Sequence, residues 1–125
     1  MPQGLKPEAT KLAQIVEQAG AIAIISSDPC YGACDIALNE AEGLGADLVV
    51  HFGHAKMVKD AKIPALYVET HAKIDIEPAL QQALPLLANF KAIGLTTSIQ
   101  HINTLTQTKQ LLTQAGKTVE VGSAC

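Results

Sequence analysis

The sequence predicts an α/β fold: a mostly parallel sheet with flanking helices, one repeat-type domain followed by the start of a second. Three observations predict it. Short apolar runs of strand length alternate with helical patterns along the chain, which is the signature of βαβ units. Hydrophobic residues make up 48% but aromatic ones only 3%, so the core is aliphatic, as parallel strands covered by helices require. With 125 residues and a mean hydropathy of +0.21, the chain is long enough to fill one such core.

The elements follow in order. Pro7 and Glu8 open a helix that carries Leu12, Ile15, Val16 and Ala19 at helical spacing, and Gly20 closes it. Residues 21–26 are a continuous apolar run of strand length, broken by Asp28-Pro29. After a cysteine-containing turn, residues 36–44 read as a helix, with Asp35 as N-cap and Gly45 as stop. Residues 47–52 are a second buried strand and 64–68 a third. A helix then runs from Glu77-Pro78 to about residue 87, interrupted or bent near Pro85. Residues 91–95 form a strand, 103–115 a helix and 117–121 a last strand.

A faint internal repeat runs at an offset of 96 residues: Gln18-Ala19-Gly20 matches Gln114-Ala115-Gly116, and Thr10 matches Thr106. The counterpart of strand 91–95 would then fall before Met1. The repeat divides the chain into residues 1–88, a first domain without its first strand, and residues 89–125, the beginning of a second. An unpaired sheet edge, and with it pairing between copies, is a further expectation.

Composition excludes several classes. The net charge is −3, and all nine basic residues are Lys. Without the bidentate fork of Arg, neither a nucleic-acid partner nor a dedicated phosphate site is favoured. No apolar run reaches membrane-spanning length, and the amino end lacks the pattern of a secretory signal. A cytoplasmic location is expected, where three cysteines serve as free thiols or metal ligands rather than as staples. Glycine-rich dinucleotide and P-loop motifs and the Gly-x-Ser-x-Gly elbow are absent.

In parallel α/β sheets, ligands gather beyond the carboxyl ends of strands. Three polar clusters fall there: residues 26–35, His51-Phe52-Gly53-His54, and Glu69-Thr70-His71. The chemical centre is Cys30-Tyr31-Gly32-Ala33-Cys34-Asp35. Cys34 follows two small residues and precedes a helix start, where the helix field favours thiolate. Cys30 and Cys34 share the first spacing of a radical S-adenosylmethionine motif, but position 37 is Ala and that motif is excluded. Cys30 reads as a neighbour rather than a ligand. The pair His51-x2-His54 offers imidazoles that could join the two thiols in a zinc- or thiol-based binding module. His71 and His101 read as surface residues.

Four segments resemble one family in the same order: Pro2-Gln3-Gly4-Leu5-Lys6-Pro7, the stretch from Asp28 to Asp35, Leu44-Gly45-Ala46-Asp47, and Val50-His51-Phe52-Gly53-His54. They are similar to the amino-terminal domain of the archaeal diphthamide synthase subunit, of the Dph1/Dph2 type, or 2-(3-amino-3-carboxypropyl)histidine synthase. The resemblance implies a homodimer of three-domain subunits, each built around a [4Fe–4S] cluster. One cysteine per domain binds one iron, and the fourth iron is left for S-adenosylmethionine. It also implies C–S bond cleavage and transfer of a 3-amino-3-carboxypropyl group to a histidine of translation elongation factor 2. Carried onto this chain, the ligand of Tyr31-Gly32-Ala33-Cys34 is Cys34, and soft thiolate suits iron–sulfur ligation. Asp28, Tyr31, Gly32, His51 and His54 line the same edge and are the candidates for contacting S-adenosylmethionine. Cys125 lacks the surroundings of the family's second ligand and is assigned no role. A chain with one ligand of three is expected to be inactive alone.

Overall fold

The computed structural model describes residues 1–122. They fall into two compact units, Met1–Thr70 and the residues from His71 onward. Cys125, assigned no role above, lies outside the described residues.

In the first unit a 3-10 turn, Gln3–Glu8, leads into helix α1, Ala9–Gln18. Helix α2 follows at Leu38–Leu44 and ends on Gly45 in the left-handed region, φ 64°. There an L side chain would be strained and glycine is not. Strands β1, Val49–Phe52, and β2, Ala65–Val68, pair in parallel, with His51 opposite Tyr67 and Phe52 opposite Val68. Parallel strands need a long crossover. Here residues 53–64 provide it without a helix.

The second unit is a βαβ arrangement preceded by a helix. Helix α3 is Glu77–Ala83, with Pro78 in its first turn where the missing N–H costs nothing. Strand β3, Ala92–Leu95, pairs in parallel with β4, Thr118–Val121. Between them lie a 3-10 turn, Ile99–Thr104, and helix α4, Leu105–Gln114. The core of this unit is Leu80, Leu112 and Val119, with Leu84, Leu87, Ile93, Leu95 and Leu111 packed against it. Lys117 Nζ donates to three carbonyls, of Leu87 at 2.7 Å, Ala88 at 3.3 Å and Phe90 at 2.8 Å. An ammonium has three donors, and here they serve carbonyls just after α3 that no helix continues to use.

The fold class is α/β with parallel pairing, and the 96-residue repeat is present in the backbone. The turn Gln3–Glu8 maps onto Ile99–Thr104, and α1 maps onto α4 end for end. Both copies leave their helix through a left-handed glycine, Gly20 at φ 87° and Gly116 at φ 81°.

Four expectations are corrected. The strand expected at residues 21–26 is absent: its repeat counterpart β4 is held by β3, whereas no strand among the described residues pairs with Ile22, Ile24 and Ile25, which are exposed. A strand exists only by its ladder, so apolar character alone does not make one. Instead, Lys6 Nζ donates to the Ser27 carbonyl and Ser26 Oγ to Glu40 Oε2 at 2.7 Å, tying this segment to the 3-10 turn and to α2. Helix α2 begins three residues later than Asp35, which accepts the Tyr31 N–H at 3.0 Å. Helix α3 is interrupted rather than bent at Pro85, a residue lacking an amide donor, and ends at Ala83 instead of reaching residue 87. Finally, the parallel strands form two separate pairs, one in each unit.

Leu112, 2% exposed, carries the second core. Leu112→Ala is expected to cost about 2–5 kcal/mol, read as a fall in the urea midpoint followed by circular dichroism.

Candidate functional site

The chemistry of the first unit gathers where β1 ends. His51 lies in the strand and is 3% exposed. Gly53, with φ 91°, turns the chain directly after it. A Cβ at this glycine would stand 2.6 Å from Pro2 Cγ, so the turn is reserved for glycine by both its backbone angle and the space around it. Its N–H donates to the Val68 carbonyl at 2.8 Å, anchoring the turn to β2. The reversal brings His54 back onto His51. His51 Nε2 and His54 Nδ1 are 2.9 Å apart, with ring centroids separated by 5.1 Å. Tyr67, opposite His51 across the strand pair, packs its ring 5.2 Å from the His51 ring.

The loop of residues 28–35 delivers the third member. Cys30, 7% exposed, sets its Sγ 3.9 Å from His51 Nε2 and 3.9 Å from His54 Nδ1. Its thiol also lies 3.7 Å from the Gly32 carbonyl, at the long end for a sulfur donor. The three donor atoms of Cys30, His51 and His54 form a group able to hold a metal ion. Burial lowers the pKa of His51 first, with His54 and the Met1 amino group adding to the effect and Asp35 opposing it. His54 is lowered chiefly by burial, then by the amino terminus, again against Asp35. Both rings are therefore biased toward the neutral form, the one that ligates metals.

Cys34 does not join this cluster. It is exposed, and the nearest heavy atom to a Cβ placed on Gly32 would be its Sγ, at 3.8 Å. Gly32 and Ala33 thus leave an open thiol on the loop. The helix start expected just after Cys34 lies further on, because a turn closed by Asp35 N–H to the Gly32 carbonyl at 3.1 Å intervenes before α2.

The site residues are therefore sorted by exposure. Asp28 and Tyr31 are exposed with Cys34, Gly32 is half-buried beside it, His54 is half-buried and His51 is buried. Cys30, read from sequence as a neighbour, is the thiol that meets the histidines; a binding module using both thiols is met by Cys30 alone. Its spacing of 21 residues to His51 gave no local signal. In the second unit, His71 is exposed and its Nδ1 accepts from Asn103 Nδ2 at 3.1 Å. His101 is half-buried rather than superficial, with an Nδ1 that finds no partner among the described residues. A groove of about 720 Å³ along α4, lined by Ile102, Leu105, Lys109 and Val121 among others, has no thiol, imidazole or carboxylate among its described lining residues.

Fold and site together define an α/β protein that presents an exposed thiol loop beside a buried thiol–imidazole cluster. The family model for diphthamide synthesis proteins matches residues 1–124, and the chain belongs to that family. It is 32% identical over 122 residues to the 2-(3-amino-3-carboxypropyl)histidine synthase of Pyrococcus horikoshii, covering 97% of this chain and 36% of the relative. Subunit 1 of the synthase from Gallus gallus is 35% identical over 106 residues, 82% of this chain and 26% of that protein. The crystal structure of Dph2 from Pyrococcus horikoshii superposes with a TM-score of 0.82 at 32% identity, over 94% of this chain and 35% of that one. The same protein with a 4Fe-4S cluster gives 0.81 with the same identity and coverage. The chain thus spans about a third of these archaeal relatives.

Two outcomes follow from the geometry. Under limiting iodoacetamide, Cys34 is expected to be alkylated well before Cys30, as peptide mass mapping would read; faster labelling of Cys30 would contradict the burial described. Histidines held neutral when folded, but titrating near 6.5 when unfolded, take up protons preferentially on unfolding. Their stabilising contribution is therefore complete above pH 6.5 and is lost as pH falls through the lowered folded values. With chelator present, the urea midpoint should fall between about pH 7.5 and about pH 5.5, and His51→Gln should flatten that fall.

Proposed function

We propose that this chain is the first part of a 2-(3-amino-3-carboxypropyl)histidine synthase and that Cys34 is the ligand it contributes to a [4Fe–4S] cluster. The observation that carries this reading is the exposed thiol of Cys34, within a fold that superposes on a relative described with such a cluster. The residues fit the group. The thiol is open to solvent, small residues flank it, and thiolate is the usual donor to iron–sulfur centres. When bound, the cluster would supply the electron that opens a C–S bond of S-adenosylmethionine, whose 3-amino-3-carboxypropyl group passes to a histidine of translation elongation factor 2.

In this reading residues 1–88 are the first domain and 89–125 the start of the second, in a cytoplasmic enzyme whose subunits pair as a homodimer. Other parts of the subunit provide the remaining ligands, so the chain alone does not turn over. Its own residues orient the thiol and shape the approach to it. Asp28, Tyr31 and Gly32, on the accessible side of the loop, are the proposed contacts to S-adenosylmethionine. His51 and His54 support the loop from within, since His51 is closed to solvent.

The test is anaerobic reconstitution with iron and sulfide, comparing the wild-type chain with Cys34→Ala and Cys30→Ala. Iron and sulfide per chain are expected to fall severalfold in Cys34→Ala and to persist in Cys30→Ala. Full retention of both in Cys34→Ala would overturn the assignment.

A further inference from the structure

We propose that Cys30, His51 and His54 form a mononuclear site for a zinc-class divalent cation, distinct from the Cys34 thiol, and that this ion fastens the cysteine loop to the end of β1.

The geometry is the first argument. The three donor atoms form an isosceles triangle, with sides of 3.9 Å from the Cys30 sulfur to each ring nitrogen and a base of 2.9 Å between the nitrogens. A point about 0.5 Å out of its plane lies about 2.05 Å from both nitrogens and about 2.3 Å from the sulfur, the bond lengths zinc adopts with imidazole and thiolate. The donor atoms need not move to receive the ion. Three protein ligands in a shallow pyramid leave a fourth position for water or another small donor, and no carboxylate belongs to the group.

The donor chemistry is the second. One thiolate with two imidazoles selects a borderline-soft ion over magnesium or calcium, which take oxygen. Among the described residues the same thiol makes contacts of 3.7–3.9 Å, too long for a short hydrogen bond to compete for it. Binding balances simply. The Cys30 thiol proton leaves to solvent. The proton shared between His51 Nε2 and His54 Nδ1 is exchanged for one on the other nitrogen of the same ring, so both imidazoles stay neutral.

Position in the unit is the third. The second unit has an aliphatic core, but the buried apolar residues of the first are only Ala9, Cys30 and Ala41, while Ile15, Ile22, Ile24 and Ile25 are exposed. Cys30 and His51 are among the few buried residues of this unit, so an ion held by them would sit within it. The staple would join residues 21 positions apart and hold the loop four residues ahead of Cys34.

The probe is cobalt(II), a spectroscopic stand-in for zinc. The full chain, stripped with chelator under reducing conditions and shown folded by circular dichroism, is titrated with cobalt. One ion per chain is expected, with sulfur-to-cobalt charge-transfer absorption that zinc displaces. Cys30→Ser should abolish that absorption, and His54→Gln, at a half-buried position, should weaken cobalt binding at least tenfold while the chain stays folded. Cys34→Ser should leave both unchanged. Zinc should also raise the melting midpoint of the wild type and slow alkylation of Cys30. A folded wild type without the charge-transfer band, or a band that follows Cys34 or Cys125 instead of Cys30, would overturn the proposal. Since the titration uses no iron or sulfide, failure of the cluster assignment and failure of this site are read separately.

Discussion

The left-handed turn at Gly53 is the constraint on which the arrangement of the first unit depends. It follows His51 with only Phe52 between them, is pinned by its hydrogen bond to Val68, and has Pro2 against the face where a side chain would sit. A residue with a Cβ would meet both an unfavourable backbone angle and a collision with the start of the chain. The turn returns His54 to His51, and the imidazole pair gives the buried Cys30 its place. With Cys30 held inside, Tyr31, Gly32 and Ala33 carry Cys34 outward. The division into one inner and one outer thiol therefore depends, besides the loop's own turn, on a glycine nineteen residues or more away in sequence.

Much of the fold was legible because it rests on local patterns. Apolar runs at residues 47–52, 64–68, 91–95 and 117–121 all contain strands, and the glycines at 20, 45 and 116 end helices through positive φ. The weak repeat proved more informative than its few identities suggest, since turn and helix recur in phase through all their residues. Residues 21–26 show the limit. They are more apolar than β4, but ladder formation is a property of two segments, and composition describes one.

The candidate site was legible in its members more than in its grouping. Position beyond strand ends drew attention to Cys30, Cys34, His51 and His54 together. Which thiol would meet the histidines depended on the turn between Gly32 and Asp35, closed by a single backbone hydrogen bond. That turn also displaces Asp35 from the helix cap to the Tyr31 amide. Such side-chain and backbone alternatives are close in energy for Asp, which serves caps and turns equally well. His101 is a similar case: nothing in its neighbours along the chain indicates that its ring is half covered.

The three-carbonyl grip of Lys117 has a consequence for the chemistry of amines on this protein. Its ammonium spends every donor on Leu87, Ala88 and Phe90, so the nitrogen is held against the backbone and an acylating reagent reaches it only when those contacts open. Lys11, by contrast, holds only a long, exposed ion pair with Glu8 at 3.8 Å. Reactivity at Lys117 would be set by the local opening of the segment after α3. Acylation at that position would then leave the carbonyls of Ala88 and Phe90 to find water or rearrange, while that of Leu87 keeps the Phe90 amide, making a single side chain the lock on the end of a helix it does not belong to.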